Sequence, residues 1–136
     1  MGAIEIRRID HVVLRVRDVA AAKRFYCNAL GCTVERESDA LGLYQLRAGA
    51  SLIDLVPIDG PLGKVGGAGP AAEGRNVDHV ALNLAAFDEP AIRAQLTANG
   101  VAPGDVVERY GADGNGPSMY VRDPDGNVVE LKGPPR

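Results

Sequence analysis

The only two histidines of the 136-residue chain stand at the same place in two copies of one motif. Ile9-Asp10-His11-Val12-Val13-Leu14 returns as Val77-Asp78-His79-Val80-Ala81-Leu82. Each copy later reaches an apolar run broken by one acid, Leu52-Ile53-Asp54-Leu55-Val56 and Val128-Val129-Glu130-Leu131. A lone carboxylate in an apolar strand is costly unless it is paired, protonated or bound to a cation. Two imidazoles with one or two carboxylates make a ligand set that suits Zn, Ni, Fe or Mn. A single strand histidine is more often a hydrogen-bonded structural group, and a single acid a solvated charge. Equivalence in both copies favours the metal reading, with His11, His79, Glu130 and Asp54 as ligands. If a pseudo-two-fold axis relates the halves, the four side chains can converge on one point.

The elements that must position these groups repeat as well. Alternation around each histidine predicts a strand, with Val12, Leu14 and Val16 on one face and His11, Val13 and Arg15 on the other. Val80, Leu82 and Leu84 oppose His79, Ala81 and Asn83 in the same way. The apolar faces should cover helices, and the histidine faces should line a cavity. Asp18 predicts a helix start, and Gly31 its end. Asp88 with Pro90 just inside opens a second helix that closes at Asn99-Gly100. Three strands follow each helix, near 33–36, 42–47 and 51–56, then near 105–109, 118–122 and 127–132. Asp123-Pro124-Asp125-Gly126 reads as a hairpin turn between the last two. Both halves therefore read β-α-β-β-β, about 4–57 and 77–133 within a single domain spanning 1–136. The Gly/Pro-rich stretch 58–76 reads as a linker or surface loop. Residues 111–116 read either as a mobile lid or as a plain surface loop.

Composition narrows the function. Hydrophobic residues are 46% and charged residues 24%, as in ordinary globular chains. A net charge of −3 with dispersed arginines argues against a nucleic-acid surface. No apolar run approaches a membrane span. Cys27 and Cys32 lack paired zinc spacing and imply no disulfide framework, so the expectation is a reduced, cytoplasmic protein.

The run Tyr120-Val121-Arg122-Asp123-Pro124-Asp125-Gly126-Asn127-Val128-Val129-Glu130-Leu131, with Ile9-Asp10-His11, Phe25-Tyr26 and Leu30-Gly31, resembles the vicinal oxygen chelate superfamily. That superfamily includes glyoxalase I, fosfomycin-resistance enzymes, extradiol ring-cleaving dioxygenases and bleomycin-resistance proteins. The resemblance covers nearly the whole chain. It implies an α+β fold in which two βαβββ repeats form a curved mixed sheet around a metal-binding cavity. It also implies a homodimer, with the cavity either within one chain or shared between two. The family's ligands carry over to His11, His79 and Glu130. Asp54 falls where glyoxalase I carries a glutamate, one methylene longer.

The chemistry so implied is chelation of a small substrate through two neighbouring oxygens, with the metal as Lewis acid. Glu130 or Asp54 would exchange a proton with carbon, and Tyr120 would donate one or line the wall. Arg15, Gln45, Ser118 and Arg122 are substrate-binding candidates. Arg15 sits four residues after His11, as a glutathione-contacting arginine does in some glyoxalases, but Ile58 departs from the polar residue that glyoxalase I tends to carry after the strand of its acid. A glyoxalase I-like lyase is the first reading. An Fe(II) extradiol dioxygenase follows, since His11, His79 and Glu130 also resemble a 2-His-1-carboxylate triad. A bleomycin-resistance-like binding protein is third, disfavoured by the ligand set and by 4% aromatic content without Trp.

Overall fold

The computed structural model describes residues 2–136. Strand β1 (His11–Val16) leads into helix α1 (Val19–Lys23), which runs on as a π-helical segment, Arg24–Ala29. Strands β2 (Thr33–Ser38), β3 (Leu43–Ala48) and β4 (Ser51–Pro57) complete the first module. The second repeats the order with β5 (His79–Asn83), α2 (Glu89–Ala98), β6 (Val106–Gly111), β7 (Gly114–Arg122) and β8 (Val128–Lys132). None of the described helices is long and apolar enough to cross a membrane.

Each module makes its own four-stranded sheet, in order β1-β4-β3-β2 and β5-β8-β7-β6. The first strand of each runs parallel to the last, and the remaining pairs are antiparallel. The repeat extends to register. His11 lies opposite Leu52, two residues before Asp54, and His79 opposite Val128, two before Glu130. Gln45 lies opposite Asp54 just as Tyr120 lies opposite Glu130. Side-chain direction has period two, so histidine and carboxylate share a face in both sheets.

The other faces build the core. Leu14, Val16, Leu46, Ile53 and Leu55 from the first sheet join Met119, Val121, Val129 and Leu131 from the second in one buried cluster with Phe25, Tyr26 and Leu96 from the helices. Each such side chain contributes about 1.5–3 kcal/mol through burial. The helices touch, with Gln95 Nε2 donating to the Ala29 carbonyl at 2.7 Å. The two modules thus share a helical layer. Asp18 and Asp88 cap the helices as expected, each accepting from a backbone N–H three residues on at 3.1 Å. A polar tie joins the modules at the Asp-Pro-Asp-Gly turn. Tyr26 donates to Asp123 Oδ2 at 2.6 Å, while Asp123 Oδ1 accepts from the backbone of Asp125 and Asn127. Gly126 sits there at φ 81°, a conformation that costs other residues.

Three expectations change. The first strand begins at His11 rather than near residue 4, because no neighbouring strand extends that edge; Ile4, Ile6 and Ile9 are exposed. Residues 111–116 are a tight hairpin rather than a lid, with Gly111 opposite Gly114 and Tyr110 opposite Asn115. Two of their glycines make room for the end of the chain: a Cβ on Gly116 would lie 2.6 Å from the Pro134 carbonyl oxygen, and one on Gly111 3.2 Å from Lys132 Cε. The connection between modules is clasped rather than loose. Arg15 donates to the carbonyls of Gly63 at 2.9 Å and Ala68 at 2.9 Å, and to those of Gly66 and Gly67. Arg17 donates to that of Pro70. A Cβ on Gly66 would lie 2.7 Å from the Arg15 guanidinium carbon, so a larger residue there would displace the clasp.

Candidate functional site

The four groups singled out by residue type form two pairs. In the first sheet His11 Nε2 faces Asp54 Oδ2 at 4.0 Å, and in the second His79 Nε2 faces Glu130 Oε1 at 3.3 Å. Both carboxylates are buried, at 3% and 6% exposure, while the histidines are partly open.

Each imidazole is oriented by the residue before it. His11 Nδ1 lies 2.7 Å from Asp10 Oδ1, and His79 Nδ1 lies 2.7 Å from Asp78 Oδ2. An ionised carboxylate only accepts, so Nδ1 carries a proton, and in the neutral imidazole Nε2 keeps its lone pair. This is how metal-binding histidines are commonly set. The Asp10 hydrogen bond, then the charge of Asp54, raise the His11 pKa. The same bonds lower the carboxyls of Asp10 and Asp78 below their usual range. Sequence reasoning missed these two aspartates as orienting groups. The signal was present, because Asp-His recurs in both copies.

A lone-pair nitrogen 3.3 Å from a carboxylate oxygen needs a proton or a cation between them. Two ligands each about 2.1 Å from one metal stand roughly 3–3.4 Å apart at octahedral to tetrahedral angles. The His79–Glu130 separation fits that spacing. The His11–Asp54 separation is longer, as expected of the shorter acid. Asp54 Oδ1 is buried and accepts no hydrogen bond, while Oδ2 accepts from Gln45 Nε2 at 3.1 Å. A buried carboxylate oxygen without a partner is costly, and a cation would satisfy it. The donors therefore fit a metal, two from each half. Convergence of all four does not occur within the chain: among the described residues no three of His, Cys, Asp or Glu gather around one point.

The second half-site is the more elaborate. Ser118, fully buried, donates to Glu130 Oε2 at 2.9 Å. Arg109 NH1 donates to Ser118 Oγ at 3.0 Å and to its carbonyl at 3.2 Å. The same guanidinium lies 4.1 Å over the Tyr120 ring, which stands 5.7 Å from the His79 ring. Arg109 was not foreseen; nothing in β6 sets it apart in sequence. Ser118 and Tyr120 thus sit beside Glu130, and Gln45 beside Asp54. Arg122 lies further along the face of β7 that carries Ser118 and Tyr120. Arg15 does not join either pair, because its donors are engaged by the carbonyls of the connection. Cys27 and Cys32 are free thiols, and burial pushes Cys32 up to about 11.

The chain belongs to the Glyoxalase/Bleomycin resistance protein/Dioxygenase superfamily, whose family model matches residues 8–131. It is 28% identical over 131 residues to Virulence protein STM3117 of Salmonella typhimurium, covering 93% of this chain and 83% of that protein. The crystal structure of that protein superposes with a TM-score of 0.74, over 97% of this chain and 100% of the other. The chain is 31% identical over 131 residues to Metapyrocatechase 2 of Cupriavidus necator, covering 93% of this chain but spanning only 33% of that protein's length. TnmS3, an antibiotic binding protein from Streptomyces sp. CB03234, shares the fold with a TM-score of 0.70 at 20% identity, over 97% of this chain and 99% of that one.

Proposed function

We propose that this protein is a metal-dependent enzyme that chelates a small substrate through two adjacent oxygens, as a glyoxalase I-like lyase or isomerase. His11, His79 and Glu130, with Asp54 as the fourth ligand, would hold the divalent ion. In a homodimer the His11–Asp54 pair of one protomer would meet the His79–Glu130 pair of the other. The two pairs of one chain do not gather around one point, which supports that arrangement.

The observation that carries the reading is the unpartnered Asp54 Oδ1, on a buried carboxylate whose other oxygen faces His11 Nε2. When bound, the metal would act as a Lewis acid on the substrate oxygens. The side chains divide the remaining work. Glu130 has both oxygens engaged and stays in place. Asp54 has one oxygen free to accept a proton from carbon. Tyr120, 38% exposed beside His79, presents a hydroxyl to the substrate and keeps water from that side of it.

The test is elemental analysis of untagged protein together with its mass in solution. About one Zn, Ni, Fe or Mn per chain in a dimer, lost in His11→Ala and His79→Ala, supports the proposal. A chain that binds no metal after supplementation overturns it and leaves a small-molecule binder. An Fe(II) extradiol-type dioxygenase is the second reading, favoured by the likeness to Metapyrocatechase 2. Oxygen uptake with catechols by the Fe(II) form decides between the two.

A further inference from the structure

A cavity of about 810 Å³ opens beside the second half-site, with His79 and Tyr120 in its wall. That size lies within the range of small-molecule sites. Phe25, Val101 and Val121 give it an apolar floor. Its charged groups are unbalanced. Arg24, Arg75 and Arg122 line it, against Asp78 and Asp123. Both acids are already engaged. Asp78 accepts from His79 and lies 3.6 Å from Arg75. Asp123 is buried and receives donors on both oxygens, from Tyr26, Asn127 and the Asp125 backbone. Arg24 and Arg122 make no side-chain hydrogen bond or ion pair with any described residue, unlike Arg17 and Arg93. Arg24 comes from the helical segment and Arg122 from β7, so two elements distant in sequence place unpaired guanidinium groups on one cavity. This runs against the net charge of the chain, which is −3.

We infer that this cavity binds an organic anion, a carboxylate or phosphoryl group on a compact apolar body, through Arg24 and Arg122. Guanidinium groups bind such oxyanions through paired N–H donors, and the planar fork favours them over neutral groups. The apolar floor takes the body, and the acid end lies at the two arginines. His79 and Tyr120 share the wall, so a molecule held there lies beside the Glu130 half-site. The identification of this anion with the substrate rests on the function proposed above. The binding itself requires no metal.

The experiment is calorimetric titration of metal-free protein, in EDTA, with phenylphosphonate, benzoate and the neutral benzamide. The expected result is saturable binding of one or both anions, at least tenfold tighter than benzamide. Arg24→Gln and Arg122→Gln should each weaken it about tenfold, more together, and added salt should weaken it further. Arg47→Gln, which removes an exposed partner of Glu35, should leave it unchanged. Equal affinity for benzamide, no binding of either anion, or full anion affinity in the folded double variant overturns the inference. Those outcomes leave the metal reading standing, since no metal is present. Anion binding by a chain that takes up no metal would support this site and sink the lyase.

Discussion

Ser118 Oγ donates to Glu130 Oε2 at 2.9 Å, and both side chains are buried. The bond occupies the carboxylate oxygen that does not face His79. Nothing equivalent exists in the first module, where Leu43 takes the place of Ser118 two residues before Gln45. The two acids are therefore held differently: Glu130 from both sides, Asp54 through Gln45 alone.

Ser118→Ala should consequently loosen Glu130 without removing it. Leaving a buried acceptor short of its donor costs about 1–3 kcal/mol, readable by urea denaturation. Affinity for a divalent metal should fall about tenfold in calorimetry. Arg109→Met should give a smaller loss of the same kind, since it acts through Ser118, and Arg109→Lys should restore part of it. Unchanged affinity in both Ser118→Ala and Arg109→Met would show that the brace is structural only.

Asp54→Asn separates stability from metal binding. The substitution removes a charge whose Oδ1 is buried and unpartnered, so the metal-free protein should gain about 1 kcal/mol. Metal affinity should drop by an order of magnitude or more, and metal should no longer raise the Tm to the wild-type extent. A variant that loses stability while keeping metal would mean that Asp54 pairs with something else.

Tyr26→Phe removes the donor that crosses from the first helix to the turn before β8. Asp123 then keeps its backbone donors and loses one side-chain partner. The expected cost is about 1–3 kcal/mol, measured by denaturation, with little effect on a metal titration.

Asp125 supplies a pH dependence. Burial raises its carboxyl above the usual range, only partly offset by Arg17, whose backbone N–H and guanidinium face Oδ1. A folded pKa above the unfolded value of about 3.9 favours the protonated form. The native state is thus favoured below that value, and the advantage is lost as pH rises through the folded pKa. Asp125→Asn should raise the Tm at pH 7 by about 2–4 °C, and the gain should shrink as the pH is lowered towards 4. A constant gain across that span would assign the effect to packing.

The βαβββ repeat was legible because its signals are local: Asp caps, the Pro-Asp-Gly turn, and strands that alternate around each histidine. The kinship of His11 with Asp54 and of His79 with Glu130 was legible from their equivalent places in the two copies, but the register that sets each histidine opposite the residue two before its acid was not. Convergence of the four groups was not legible, because it depends on how two sheets sit around a common helical layer. Arg15 shows the same limit. Its spacing from His11 suggested substrate contact, yet its environment is set by glycine carbonyls some fifty residues away, and no period links the two. Residues 111–116 looked loose because glycine is ambiguous in sequence. The close approach of the 133–134 backbone to Gly116 and of the Lys132 stem to Gly111 reveals that small residues there are needed for space.

The clasp on the connection has one more effect. Arg15 stands on the same strand as His11, four positions further along, and its far end is fastened to Gly63, Gly66, Gly67 and Ala68. The segment joining the two modules is thereby a mechanical extension of the strand that carries one imidazole. A protease nick or an altered residue in that glycine stretch would reach His11 through the backbone of β1, with neither that imidazole nor Asp54 replaced.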